Sequence, residues 1–206
     1  PPPASVPPLD RPPRAPEIVL IGVSTGGPRA LLDVIPQLPA DFPIPLLVVQ
    51  HMPPIFTKSL AEQIDRISPL HVEEAGDDIT IRAGTVLIAP GGRHLKIRRA
   101  PDGSLHTRLT DDPPLNSCRP AVDALFQSAS ECRLRGAIAV ILTGMGEDGA
   151  NGVATLKNAL PTWCLSQDAA SCVVYGMPMA VERRGLSNEV LPLVAIARRL
   201  GELARR

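Results

Sequence analysis

Continuous apolar runs alternate along the chain with stretches in which apolar residues recur every three or four positions. Ile18-Val19-Leu20-Ile21-Gly22-Val23, Leu46-Leu47-Val48-Val49-Gln50 and Ala137-Ile138-Ala139-Val140-Ile141-Leu142 are apolar almost throughout. Strands covered on both faces read this way, as they do in the centre of a parallel sheet. After the first run, Pro28 suits the first turn of a helix, and Ala30, Leu31, Val34 and Ile35 form its inner face. After the second, Phe56, Leu60, Ile64 and Ile67 recur at helical spacing. Pro120 opens a further helix with Val122, Leu125, Phe126 and Ala129 inward. Ala150 to Leu160 forms a helix after the third run, and a short strand follows at Thr162 to Leu165.

The middle of the chain differs. Thr85 to Ala89, His94 to Arg99 and Leu105 to Leu109 read as short strands, and Pro101-Asp102-Gly103 supplies a turn between the last two. The residues from Val190 onward read as a closing amphipathic helix. The pattern predicts a doubly wound α/β fold with a mostly parallel sheet flanked by helices and a β-hairpin insertion.

Residues 1–16 are half proline, a composition that excludes helix and interior strand. They are expected to be a linker, with the folded domain spanning 17–206 and a further domain upstream, since the first residue is proline rather than methionine. With 206 residues, one domain can bury a full core. Aromatics make up only 2 %, so that core is aliphatic. The formal net charge is zero, which argues against a nucleic-acid partner. No apolar stretch reaches the roughly 18 residues of a membrane span, and no secretory signal is evident. Four scattered cysteines without a CxxC pair read as reduced thiols, which suggests a cytoplasmic protein. Neither a metal site nor a cofactor is expected, because the histidines and cysteines lack ligand spacing.

In open α/β sheets, ligands bind beyond the carboxyl ends of the strands. The first run ends in Ser24-Thr25-Gly26-Gly27, the second in His51, and the third leads into Asp148-Gly149. A hydroxyl, an imidazole and a carboxylate at one sheet edge make up the inventory for nucleophilic acyl transfer. His51 would take the proton of the Ser24 hydroxyl, Asp148 would hold the imidazole, and backbone N–H groups of the glycine-rich turn would stabilise an oxyanion. Each residue also has a plainer reading. Ser24 and Asp148 are suited to capping helices, and His51 to structural hydrogen bonding. The order Ser, His, Asp differs from the Ser, Asp, His of α/β-hydrolases.

The residues around these positions resemble one known family. The segments are Gly22-Val23-Ser24-Thr25-Gly26-Gly27-Pro28, Gln50-His51-Met52-Pro53-Pro54-Ile55-Phe56-Thr57, Ile88-Ala89-Pro90-Gly91-Gly92-Arg93-His94 and Arg119-Pro120-Ala121-Val122-Asp123. Leu142-Thr143-Gly144-Met145-Gly146-Glu147-Asp148-Gly149, Gln167-Asp168 and Val174-Tyr175-Gly176-Met177-Pro178 complete the set. In this order they resemble the catalytic domain of chemotaxis-type (CheB-type) protein-glutamate methylesterases. The resemblance implies removal of methyl groups from glutamate methyl esters on the cytoplasmic helices of bacterial chemoreceptors, with release of methanol, and deamidation of receptor glutamines. It places the triad on Ser24, His51 and Asp148, with Met145 and Thr25 as oxyanion and supporting positions. It also implies a response-regulator receiver domain upstream of the proline-rich segment. The proline in Leu160-Pro161-Thr162, Ala169 after Asp168, and the pair Arg183-Arg184 depart from the family pattern; none touches the triad.

Other residues carry weaker signals. Arg119 and Asp123, four apart, are expected to form an intrahelical salt bridge, with an active-site supporting role as the alternative. His94 is expected at the surface or in packing, and the Glu73-Glu74 and Asp77-Asp78 cluster on a solvated face. Three rival functions are compatible with an α/β domain of this kind. A nucleotide-binding domain is disfavoured because no GxGxxG or GxxxxGK[ST] occurs. A non-catalytic interaction module is disfavoured by the intact Ser24, His51 and Asp148, and an esterase acting on a non-chemoreceptor substrate stays open.

Overall fold

A computed structural model describes residues 11–205. Among them, seven parallel strands form one sheet in the order β3-β4-β2-β1-β7-β8-β9. These are β1 (Ile18–Val23), β2 (Leu46–Gln50), β3 (His71–Glu74), β4 (Thr85–Ile88), β7 (Ala137–Ile141), β8 (Thr162–Gln167) and β9 (Glu189–Leu191). The remaining two, β5 (His94–Arg99) and β6 (Leu105–Thr110), pair antiparallel as the expected hairpin. Every residue of β1, β2 and β7 is buried, the physical reason their sequences lack polar alternation.

Helices cover both faces. Helices α1 (Gly27–Val34), α2 (Phe56–Asp65) and α6 (Leu193–Ala204) enclose one aliphatic core with Val19, Ile21, Val48 and Val140. Helices α3 (Val122–Ser130), α4 (Ala150–Ala159) and α5 (Met177–Arg183) enclose the other with Leu20, Leu47, Leu87 and Ala139. The hairpin packs on α3, and the N–H of Ile97 in β5 donates to Ser128 Oγ of that helix at 3.0 Å.

The short strand expected at Thr85 forms as β4 and joins the main sheet between β2 and β3. Other expectations need correction. Glu73 and Glu74 lie on that edge strand and are half-buried, and the Thr57 hydroxyl donates to Glu74 Oε1 at 2.6 Å. Phe56 and Ile67 face outward; α2 ends at Asp65, so Ile67 lies in the turn beyond it. The C-terminal segment first adds β9 to the sheet and only then turns into α6.

Two clasps close the sheet. Glu17 accepts from Arg99 Nη2 at 2.9 Å and from Arg135 Nε at 2.8 Å, joining the start of β1 to the hairpin and to the approach to β7. At the far edge, Glu189 accepts from Trp163 Nε1 at 2.6 Å and from Arg199 Nη2 at 2.8 Å, joining β8, β9 and α6. Of the expected linker, residues 1–10 lie outside the described residues. Of the rest, Pro13 and Pro16 are buried, and a Cβ on Gly136 would fall 2.8 Å from Pro13.

Candidate active site

The strand order decides where chemistry can sit. After β1 the chain winds through α1 to β2 on one side, and after β7 it winds through α4 to β8 on the other. The crevice of an open sheet opens at such a reversal. Ser24 follows β1, Asp148 follows β7, and His51 follows the neighbouring β2.

The pairing of β1 with β2 aligns Val23 with Gln50, so Ser24 and His51 leave the sheet side by side. Backbone and side chain both fix this step. His51 N–H donates to Val23 O at 3.1 Å, and the buried Gln50 amide donates to the carbonyls of Ser24 and His51, each at 3.0 Å. A Cβ on Gly27 would fall 1.9 Å from Gln50 Oε1, so glycine there makes room for that amide. Gly26 has φ 83°, and its absent side chain leaves space for Val173. Ser24 N–H donates to Thr143 O at 3.0 Å, tying the turn to the end of β7.

Asp148 is buried and bonds through both oxygens. Oδ2 accepts from His51 Nε2 at 2.7 Å and from Val122 N–H at 2.6 Å. Oδ1 accepts from Asn116 Nδ2 at 3.0 Å and from Asp123 N–H at 3.1 Å. Val122 and Asp123 open α3, so their N–H groups have no intrahelical acceptor and present a positive helix end to the carboxylate. Burial pushes the Asp148 carboxyl pKa up, but the bonds from His51, Val122 and Asp123 outweigh it and hold the group below its ordinary value.

Asp123 performs the reciprocal task. Its Oδ1 accepts from Gly149 N–H at 3.0 Å and Gly152 N–H at 2.6 Å, satisfying the start of α4, and its Oδ2 accepts from Asn116 at 2.9 Å. A residue of the loop before α4, Asp148, therefore caps α3, and a residue of α3, Asp123, caps α4. Burial, joined by the nearby Asp148 charge, raises the Asp123 pKa. The expected Arg119–Asp123 salt bridge is absent: Arg119 precedes the helix and donates to the carbonyls of Asp111 and Asp112. Asp123 is instead a support of the Asp148 loop. Asn116 carries no catalytic pattern in the sequence; its only signal is an Asn-Ser pair after two prolines, which marks a turn.

The structure thus brings His51 and Asp148 together and sets Ser24 beside them. Among the described residues no hydrogen bond joins Ser24 Oγ to His51. Thr25 is exposed, and its carbonyl accepts from Thr143 Oγ1 at 2.8 Å. Met145 is 70 % exposed on the β7–α4 loop. That loop is anchored by Gly144, whose carbonyl accepts from Gly176 and Met177 N–H. His94 is buried in packing: Ala121 N–H donates to its Nδ1 at 3.2 Å, and Nε2 lies 3.1 Å from Pro113 O. Ligand-type atoms of His51, Cys118 and Asp148 lie within 4.8 Å of one another, but the hydrogen bonds on both Asp148 oxygens leave that carboxylate little freedom to bind a metal. A cleft of about 250 Å³ borders His51, lined by Met52, Pro53, Cys118 and Pro120 among others. A larger one, about 560 Å³, lies between the hairpin and the end of α3 and contains none of the predicted residues.

A family profile described as CheB methylesterase matches residues 19–200. A protein-glutamate methylesterase/protein-glutamine glutaminase of Symbiobacterium thermophilum is 50 % identical over 188 residues, covering 91 % of this chain and 50 % of the relative. The Thermotoga maritima protein of the same description is 46 % identical over 187 residues, covering 91 % and 54 %. The chain spans about half the length of these curated relatives. A crystal structure of the Thermotoga maritima CheB methylesterase catalytic domain superposes with a TM-score of 0.87 at 45 % identity, covering 92 % of this chain and 100 % of that one. With a matching profile, close relatives and a shared fold, the chain belongs to the CheB methylesterase family.

Proposed function

We propose that residues 17–206 are the catalytic unit of a protein-glutamate methylesterase and glutaminase, and that Ser24, His51 and Asp148 form its triad. The observation that carries this reading is the 2.7 Å bond between Asp148 and His51, on a histidine aligned beside Ser24. Because the Asp148 carboxylate only accepts, His51 Nε2 donates, and Nδ1 is left with the lone pair that a general base needs.

In the first step Ser24 Oγ attacks the side-chain carbonyl of a glutamyl methyl ester while His51 takes the hydroxyl proton. The tetrahedral intermediate collapses, the proton passes to the departing methoxide, and methanol leaves. Water, deprotonated by His51, then attacks the acyl-serine and restores the hydroxyl while freeing the glutamate. A glutamine side chain follows the same path with ammonia as the leaving group. Thr25 and Met145, on loops beside the nucleophile, are the positions assigned to oxyanion and turn support.

The name of the relatives, protein-glutamate methylesterase/protein-glutamine glutaminase, supports the reaction; chemoreceptor helices as the substrate and a cytoplasmic site of action belong to the same proposal. Among the described residues no helix is long and apolar enough to cross a membrane. A receiver domain upstream of the proline-rich segment is part of the same proposal. The test is methanol release from a methylated chemoreceptor fragment. We expect release by the wild type and a loss of at least about 10³-fold in Ser24→Ala with an unchanged melting temperature. Equal rates from both proteins exclude Ser24 as nucleophile.

A further inference from the structure

The bonds on Asp148 set the state of His51 as well. Both carboxylate oxygens accept, so the imidazole hydrogen resides on Nε2 and the lone pair on Nδ1. That lone pair faces Cys118 Sγ at 3.6 Å. Burial and the Asp148 charge push the Cys118 thiol pKa up, which keeps its proton on sulfur at neutral pH.

Cys118 is held there by a tight turn. Leu115 and Cys118 exchange both backbone hydrogen bonds, at 2.8 and 3.1 Å, across Asn116 and Ser117. Both central residues have positive φ, 52° and 62°, as in a type I′ turn. One turn therefore delivers Asn116 to Asp148 and Cys118 to His51.

We propose that Cys118 is a positioning residue whose thiol occupies the lone pair of His51 Nδ1 in the resting enzyme, so that Ser24 must displace it before proton transfer. The proposal rests on His51 being the general base. A thiol is a weak donor, so displacement is easy, whereas a hydroxyl at the same place would hold the lone pair more firmly. The contact also confines the ring to one tautomer until substrate arrives.

The experiment compares wild type, Cys118→Ala and Cys118→Ser by ¹⁵N NMR of the His51 imidazole and by kcat/KM for demethylation of a methylated receptor fragment across pH. Melting temperatures establish that each variant is folded. Cys118→Ala is expected to move the Nδ1 resonance away from its hydrogen-bonded position. It should raise kcat/KM about two- to fivefold, the scale of one weak hydrogen bond. Cys118→Ser should keep the hydrogen-bonded resonance and lower kcat/KM. An Nδ1 resonance identical in wild type and Cys118→Ala overturns the proposal, as does a slower Cys118→Ala. The NMR arm is repeated in a Ser24→Ala background. Should the wild type release no methanol, the functional reading fails while the resonance still decides on Cys118.

Discussion

Asp148 accepts four hydrogen bonds, and an asparagine there would turn an amide group toward at least one of those donors. Asp148→Asn is expected to lower kcat by about 10⁴-fold, because the imidazole loses the partner that fixes its tautomer. It should also destabilise the fold by roughly 1–3 kcal/mol, the cost of a buried donor left unmatched. Steady-state kinetics and urea unfolding check the two parts separately. The proposed triad of Ser24, His51 and Asp148 was legible as a candidate because Ser24 and His51 directly follow apolar runs and Asp148 lies in the loop after the third, at the edge where open sheets bind ligands. Asn116 and Cys118 were not. Each acts through a contact made across 32 and 67 positions of chain, respectively, and nothing in the local sequence encodes that distance. Arg119 and Asp123 show the opposite failure. Their spacing of four suggested one helix, but the helix begins at Val122.

At the scale of elements, α3 and α4 each cap the other's first turn, so their N-termini form one unit. Asp123→Ala strips the acceptor from Gly149 and Gly152 N–H, and a loss of about 2–4 kcal/mol is expected. Scanning calorimetry should find a melting temperature lower by roughly 5–15 °C. Activity should fall further than stability accounts for, since the same loop carries Asp148. Gly26→Ala tests the turn after β1. Its φ of 83° disfavours an L side chain, and the new Cβ would lie 2.6 Å from Val173 Cγ2. A destabilisation of roughly 1–3 kcal/mol is expected, measured by denaturant unfolding. The long elements were legible from periodicity alone. β3, β9 and α5 carry no such signal: His71–Glu74 has one apolar residue among four, and stretches of three and seven residues are too short for a period to emerge. Only pairing to a neighbour makes the two strands visible.

For the whole molecule, a doubly wound sheet could be read from the sequence, but the strand order could not, because pairings between distant segments leave no local trace. It is that order which puts the reversal between β1 and β7, and hence Ser24 beside Asp148. The charge clasps predict how the fold responds to acid. Burial raises the Glu17 pKa, but Arg135 and Arg99 outweigh this and hold the group below its ordinary value, as His51 and the α3 N-terminus do for Asp148. A carboxylate depressed in the folded state contributes stability above its unfolded pKa of about 4 and loses it as pH falls through the folded value. Asp123, shifted upward, works in the opposite sense, so its protonation partly offsets the loss. The urea midpoint is therefore expected to hold near neutral pH and to drop below about pH 4, and Glu17→Gln should flatten that drop. The clasp at the other edge has an optical consequence. Trp163 is the chain's sole tryptophan, nearly buried and bonded to Glu189. Its emission spectrum thus reports on one seam, where β8, β9 and α6 meet. A red shift that precedes the loss of far-ultraviolet dichroism during denaturation would time the opening of that seam against the melting of the sheet, with no label attached.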